Sequence, residues 1–305
     1  MPRTFQIEPE ASRLEAAEDA LWAAGALAIT LLDAADQPLL EPGPGEMPLW
    51  QRVTVEALLP DAVDPVALAL QLTAQGLIES PAASRLAELP ERDWTRAWMD
   101  RFRPMRFGNS IWICPSHIEP EPDWPVVVRL DPGLAFGSGT HPTTALCLEW
   151  LDRCELRDRC VIDYGCGSGV LAVAAALKGA RRVIAVDHDP QALLATRDNA
   201  ERNQVGAKLE EYRPEDLPDV RAEFVLANIL AGTLIDLAAQ LVELVADRGR
   251  LVVSGVLAEQ SVAVEQAYAE HGLHLDARRD LEGWVALSFV RSASPGPGPV
   301  PVPRW

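Results

Sequence analysis

Seven consecutive residues, Asp163-Tyr164-Gly165-Cys166-Gly167-Ser168-Gly169, set three alternate glycines directly after a carboxylate. Glycine takes φ > 0 at little cost and has no Cβ, so such a turn lets a bulky ligand lie against bare backbone. The spacing is G-x-G-x-G, whereas the dinucleotide fingerprint is G-x-G-x-x-G with a pyrophosphate at the following helix N-terminus. The difference points away from NAD and towards an adenosine-bearing cofactor without a pyrophosphate. A second carboxylate, Asp187, stands 22 positions after Gly165, where a parallel α/β sheet places the acceptor for ribose hydroxyls. Alone, the glycines also fit a plain tight strand-to-helix turn. With Asp163 before them and Asp187 after them they form the pattern of S-adenosylmethionine binding, which makes Asp163, Gly165, Gly167 and Asp187 candidate cofactor contacts.

Two further segments carry candidate chemistry. Leu134 to Thr144 is too glycine-rich for an ordinary connector and runs into a helix expected from Pro142. Backbone N–H groups and threonine hydroxyls at a helix N-terminus suit a carboxylate, which assigns Thr144 to the methionyl end of the cofactor. The alternative is that Thr140 and Thr144 only cap the helix. Phe136 either lines the cofactor or plugs the core, and His141 is either a base or, standing before Pro142, a residue that shapes the turn. The run Phe224 to Leu230 ends a buried strand with Asn228 at the carboxyl edge of the sheet, where ligands bind in open α/β folds. An amide there accepts from an N–H and donates to an oxygen, which fits orientation of cofactor or amine; it also fits a strand-end amide that satisfies loop backbone. Methyl transfer from a sulfonium needs in-line approach and a neutral nitrogen, not a protein nucleophile, so orientation supplies much of the rate. A lysine in a dry pocket beside a cation has its pKa pushed down from about 10.4.

These residues require a scaffold of alternating strands and helices. Val126–Leu130, Val161–Asp163, Val183–Asp187, Phe224–Asn228 and Leu251–Ser254 read as strands of a parallel sheet with helices between. Leu273–Asp280 and Gly283–Arg291 lie too close for a helical crossover and read as an antiparallel pair. The first 90 residues alternate strand, helix, strand, strand and helix over 4–7, 12–24, 26–33, 51–59 and 65–75, with a last strand expected within 77–89. That order suits a small β-α-β-β-α-β module. Asp64 before Pro65 marks an N-cap, Glu41 to Gly45 a loop, and 26–33 a buried strand. Residues 91–110 are expected to form a helical linker, with Trp94, Trp98 and Phe102 on one packing face. Residues 292–305, with five prolines, read as a disordered tail.

The 305 residues, 48% hydrophobic, suffice for two cores. A formal charge of −18 argues against a surface that tracks phosphates and favours a basic partner. Residues 1–90 hold fourteen carboxylates against four arginines and no lysine, a net of −10. Such a surplus is either a docking charge or a solubility device. The longest apolar stretch, 20–32, is too short to span a bilayer, and the N-terminus lacks the regions of a signal peptide, so no membrane contact and a cytoplasmic location are expected. The five cysteines lack metal spacing and are expected to be reduced, mostly buried thiols, with no metal site.

Asp131 to Gly137, Gly139 to Thr144, Asp163 to Gly169 and Asn228-Ile229-Leu230-Ala231, together with Trp94 to Met99 and Ile111 to Pro115, resemble the PrmA family of methyltransferases that modify large-subunit ribosomal protein eleven. The similarity covers nearly all of the chain except the tail. The glycine motif is shared by many methyltransferases; the threonine-rich loop with Asn-Ile-Leu-Ala is far more specific. The resemblance implies a seven-stranded class I, Rossmann-like methyltransferase domain over 111–291 behind an α+β, ferredoxin-like substrate-recognition domain over 1–90. It also implies S-adenosylmethionine-dependent methylation of a basic ribosomal protein at α-amino and lysine ε-amino groups by a monomer that does not bind nucleic acid directly. Matching motif positions put the cofactor contacts on Thr144, Gly165, Asp187 and Asn228, while Ser138 replaces a threonine common in the family and keeps the hydroxyl. Alternative readings are an RNA or small-molecule N-methyltransferase, or a cofactor-binding assembly factor without catalysis. An RNA-base enzyme would be expected to carry Asn/Asp-Pro-Pro-aromatic on the fourth strand, and a basic face.

Overall fold

The computed structural model describes residues 3–35, 50–88, 102–131 and 141–291, and the chain divides into two units, Met1–Ala97 and Trp98–Trp305. Phe136, Ser138, Trp94, Trp98, the 41–45 loop and the tail lie outside the described residues.

The first unit runs β1 (Arg3–Ile7), α1 (Leu14–Ala23), β2 (Ala28–Asp33), β3 (Val53–Leu59), α2 (Pro65–Ala74) and β4 (Arg85–Glu88). Its sheet order is β2-β3-β1-β4, with every neighbouring pair antiparallel. Strict alternation on β3 sends Val53, Val55, Ala57 and Leu59 into one core. Leu14, Ala17 and Leu21 of α1 and Leu68 and Leu72 of α2 meet them there, at the spacing that puts residues on one helix face. Asp64 caps α2 by accepting the Val66 N–H, with Pro65 at the first position. Contrary to expectation, β2 is not a buried strand. It lies at the sheet edge, with Ala28, Thr30 and Leu32 turned to solvent.

In the second unit the main sheet comprises β8 (Cys160–Tyr164), β9 (Arg182–Val186), β10 (Leu209–Tyr212), β11 (Ala222–Asn228), β12 (Val245–Leu257), β13 (Leu273–Leu281) and β14 (Trp284–Arg291). Its order is β10-β9-β8-β11-β12-β14-β13, parallel from β10 to β12 and antiparallel at β14. The central strands are apolar on both faces, as a sheet covered on both sides demands. Val161, Val183, Phe224 and Leu226 pack towards α3 (Pro142–Arg153), α4 (Val170–Leu177) and α5 (Pro190–Arg202). Ile162, Ile184, Val225 and Val253, one residue out of phase, face α6 (Ala231–Asp236), α7 (Ala238–Glu243) and α8 (Ser261–Glu270). The antiparallel pair at the C-terminal end is thus as the short 281–284 connection required.

Three features depart from the sequence reading. The 126–130 strand is not part of the main sheet: β7 (Val126–Arg129) pairs parallel with β6 (Ile111–Cys114), which pairs antiparallel with β5 (Met105–Phe107) in a separate sheet. Within the expected helical linker, the described residues 102–110 form β5 and a turn, not a helix. Asp152 on α3 pins that turn, its carboxylate accepting the backbone N–H groups of Asn109 and Ser110 at 2.7 and 2.9 Å. The third departure is β10, whose sequence Leu-Glu-Glu-Tyr carries no apolar run. It forms at the edge because Arg182 on β9 donates twice to Glu210, at 2.7 and 2.6 Å, and Arg197 on α5 pairs with Glu211. All five cysteines are free and buried. Among the described residues no helix is long and apolar enough to cross a membrane, and no cluster could hold a metal.

Among the described residues Trp150 of α3 is the largest fully buried side chain, its Nε1–H donating to Ser288 Oγ at 3.2 Å and its ring edge-on to Phe224. Trp150→Ala is expected to destabilise this unit by about 3–5 kcal/mol through lost burial and a residual cavity. Urea unfolding followed by circular dichroism checks it.

Candidate functional site

The glycine turn is held from behind by β9. Gly165, Gly167 and Gly169 have φ of 79°, 54° and 75°, which side-chain-bearing residues rarely adopt. The Gly165 and Cys166 N–H groups both donate to the Val186 carbonyl, at 2.7 and 3.0 Å. Asp187, next in sequence, accepts the Gly167 N–H through Oδ2 and the Asp189 N–H through Oδ1, each at 3.0 Å. From α5, Thr196 Oγ1 donates to the Gly167 carbonyl and Asn199 Nδ2 to the Ser168 carbonyl at 2.8 Å. Gly169 then caps α4 in the left-handed conformation, where a Cβ would press on Thr196. Each Asp187 oxygen keeps an acceptor lone pair beyond its backbone partner. Bare backbone next to such a carboxylate fits the nucleoside half of S-adenosylmethionine.

Asp163 supplies the adjoining charge. It is 1% exposed; Oδ2 accepts the Ala172 N–H at 3.0 Å, and Oδ1 has no hydrogen-bond partner among the described residues. Burial pushes its carboxyl up to about 7, with repulsion from Asp187 adding and the Ala172 hydrogen bond opposing. Cys147, one turn beyond Thr144 on α3, is buried with it: burial foremost, and then the Asp163 charge, drive that thiol far above its ordinary range. A cation brought near Asp163 would favour its ionised form. The site therefore suits a positively charged ligand.

Thr144 and Asn228, 84 positions apart, are brought together at the carboxyl edge of the sheet. Asn228 Nδ2 donates to Thr144 Oγ1 at 3.4 Å, across the gap between β11 and α3. Thr144 is not the helix cap. That role falls to His141, whose Nδ1 accepts the Thr143 N–H at 3.3 Å and contacts Thr143 Oγ1 at 2.8 Å. Its ring stands edge-on to Trp284 at 4.9 Å, and burial lowers its pKa against the opposing charge of Glu282. His141 thus shapes the turn, with Nδ1 committed to the backbone. With the donor end of Asn228 on Thr144, its carbonyl oxygen is the end suited to an incoming N–H. The sequence reading missed Ile229 and Gly255, which pack behind this edge; glycine inside the apolar β12 run was the available signal.

A family model described as ribosomal protein L11 methyltransferase (PrmA) matches residues 2–292. The ribosomal protein L11 methyltransferase of Pseudomonas paraeruginosa is 51% identical over 289 residues, 94% of this chain and 97% of that one. That of Nitrosococcus oceani is 48% identical over 284 residues, 93% of this chain and 97% of that one. A crystal structure of ribosomal protein L11 methylase from Lactobacillus delbrueckii subsp. bulgaricus superposes with a TM-score of 0.58 at 31% identity, over 63% of this chain and all of that one.

The raised Asp163 pKa has a stability consequence. The folded chain holds that proton up to about pH 7, and an ordinary aspartate up to 3.8, so folded protein binds more protons in this window. Unfolding free energy therefore falls as pH rises from about 4 to about 7, by at most about 4 kcal/mol. Urea titrations of cofactor-free protein across this range are expected to show that slope, and Asp163→Asn to flatten it.

Proposed function

The chain belongs to the ribosomal protein L11 methyltransferase (PrmA) family, and we propose that it methylates ribosomal protein L11 at the α-amino group and lysine ε-amino groups, using S-adenosylmethionine. The observation that carries the reading is the junction of Thr144 with Asn228 at the same sheet edge as the glycine turn. When bound, S-adenosylmethionine supplies a methyl group on a sulfonium, ready for in-line displacement.

Each residue has a distinct task in this proposal. The Gly165 and Gly167 backbone admits the nucleoside, and Asp187 accepts from its ribose hydroxyls. Asp163, buried and with one oxygen that has no partner among the described residues, balances positive charge on the ligand. Thr144 holds the Asn228 amide so that its carbonyl accepts an N–H of the incoming amine and turns the nitrogen lone pair towards the methyl group. A dry setting next to a cation lowers the amine pKa, so that the neutral form enters. No residue need act as nucleophile. Phe136 is proposed as a cofactor contact on its sequence position alone.

The first unit is proposed to recognise the substrate. Its net of −10 over residues 1–90 complements a basic ribosomal protein, which favours a protein over a nucleic-acid acceptor; the chain is proposed to act as a monomer in the cytoplasm. An RNA-base acceptor is disfavoured by the overall charge and by Asn228-Ile229-Leu230-Ala231 in place of a Pro-Pro-aromatic platform.

Incubating the purified chain with S-adenosylmethionine and L11 should add methyl groups at the N-terminus and lysines, read by peptide mass spectrometry. Normal cofactor binding with no methyl gained by L11 would sink the proposal. Asp187→Ala is expected to weaken cofactor binding by about 10-fold or more, the loss of one or two charge-assisted hydrogen bonds, in calorimetric titration. Asn228→Ala is expected to reduce turnover more than cofactor affinity.

A further inference from the structure

Ile229 lies between the two halves of this site. It follows Asn228 directly, one position beyond the end of β11, and meets two glycines, Gly165 just past the end of β8 and Gly255 within β12. On one side its Cγ2 methyl rests against Gly165, where any Cβ would overlap it. On the other its peptide rests against Gly255 of β12, at φ +86°, where a Cβ would overlap the Ile229 carbonyl oxygen and come within 2.9 Å of the carbonyl carbon. Asn228 pairs with Ser254, and Ala227 with Tyr164. One step further along, the registers set Gly255 opposite Ile229 and Gly165 opposite Asn228, so Ile229 meets Gly255 in register and reaches Gly165 one position off it through Cγ2. Both have positive φ, and both must lack a side chain for Ile229 to sit where it does.

We propose that Ile229 is a positioning residue for methyl transfer, a spacer that fixes the distance from the Gly165 turn to the Asn228 amide. The inference rests on the reading that this turn borders the donor and Asn228 the acceptor. Isoleucine suits the task because Cγ2 branches from Cβ, where χ1 is stiff, so the methyl position follows the backbone. Leucine has the same volume but carries its branch one bond further out. Simple space filling would tolerate that exchange; a spacer would not, since small misplacements of reacting groups cost up to about 100-fold in rate. Gly255 completes the device by seating the Ile229 peptide against β12.

The test compares Ile229→Val, Ile229→Leu, Ile229→Ala and Gly255→Ala in the full chain, well below each Tm. Turnover is counted per cofactor site, titrated calorimetrically with S-adenosylhomocysteine. Ile229→Val keeps Cγ2 and is expected to stay within about 2-fold of the parent. Ile229→Leu is expected to lose about 10-fold in kcat, with KM for both substrates and the cofactor Kd within about 3-fold. Gly255→Ala, on a strand with no proposed ligand contact, should reproduce that loss; together with Ile229→Ala it decides the matter if the leucine variant does not fold. Parent-like kcat per site in the leucine variant, or in both alanine variants, overturns the inference and leaves the proposed function standing. A parent chain that binds cofactor yet methylates no L11 overturns the functional reading first, and this inference with it.

Discussion

Four backbone N–H groups converge on two consecutive residues at the end of β9: those of Gly165 and Cys166 on the Val186 carbonyl, and those of Gly167 and Asp189 on the Asp187 carboxylate. A turn with left-handed residues at 165, 167 and 169 forms no helical or strand ladder, so these donors would otherwise be unpaired, at a cost of about 1–3 kcal/mol for one as buried as the Cys166 N–H and less for the half-buried and exposed ones. β9 supplies the acceptors because it lies beside β8 in parallel, with Tyr164 in register with Val186. Strand order thus determines where the turn can stand. The same Asp187 that secures the turn retains acceptor capacity for a ligand, which ties binding to the fold at a single carboxylate.

This arrangement places two carboxylates near each other in a poorly solvated region, and they are partnered differently. Asp187 has both oxygens on backbone donors. Asp163 has one donor, Ala172, and burial outweighs it, so its carboxyl titrates near neutrality. An apolar residue at 163 would avoid that penalty, but it would forgo a charge that a cation can stabilise. Retaining an under-satisfied buried acid is therefore consistent with a site that gives up stability when empty to gain affinity when filled.

Legibility followed the physics of each segment. The glycine turn, the strands β8, β9 and β11, and the places of Asp187 and Asn228 at strand ends could be read because a doubly covered parallel sheet needs uninterrupted apolar runs. β10 could not, because its Leu-Glu-Glu-Tyr is made a strand by Arg182 and Arg197, cations that lie distant in sequence. β5 and β7 depart from expectation for a related reason. Short alternating runs show that a strand exists but not which sheet it joins, and here the anchor is Asp152 on α3, 42 and 43 positions from the two backbone donors it holds. His141 as a cap was also hard to foresee, since the usual capping residues are Ser, Thr, Asp and Asn.

Ile229 shows why spacing motifs stop short of mechanism. Its neighbours are glycines, which offer no side chain whose chemistry could be read, and its contact with Gly165 spans 64 positions. What matters there is the absence of atoms in the turn after β8 and on β12 and the presence of one methyl on the segment between them. A reaction without a protein nucleophile depends on such distances, because it has little other than orientation with which to lower its barrier. The turn, the amide and Ile229 therefore form one constraint: the turn is fixed to β9 by hydrogen bonds, the Asn228 amide to α3 through Thr144, and Ile229 stands between them, where the proposed reading puts donor and acceptor.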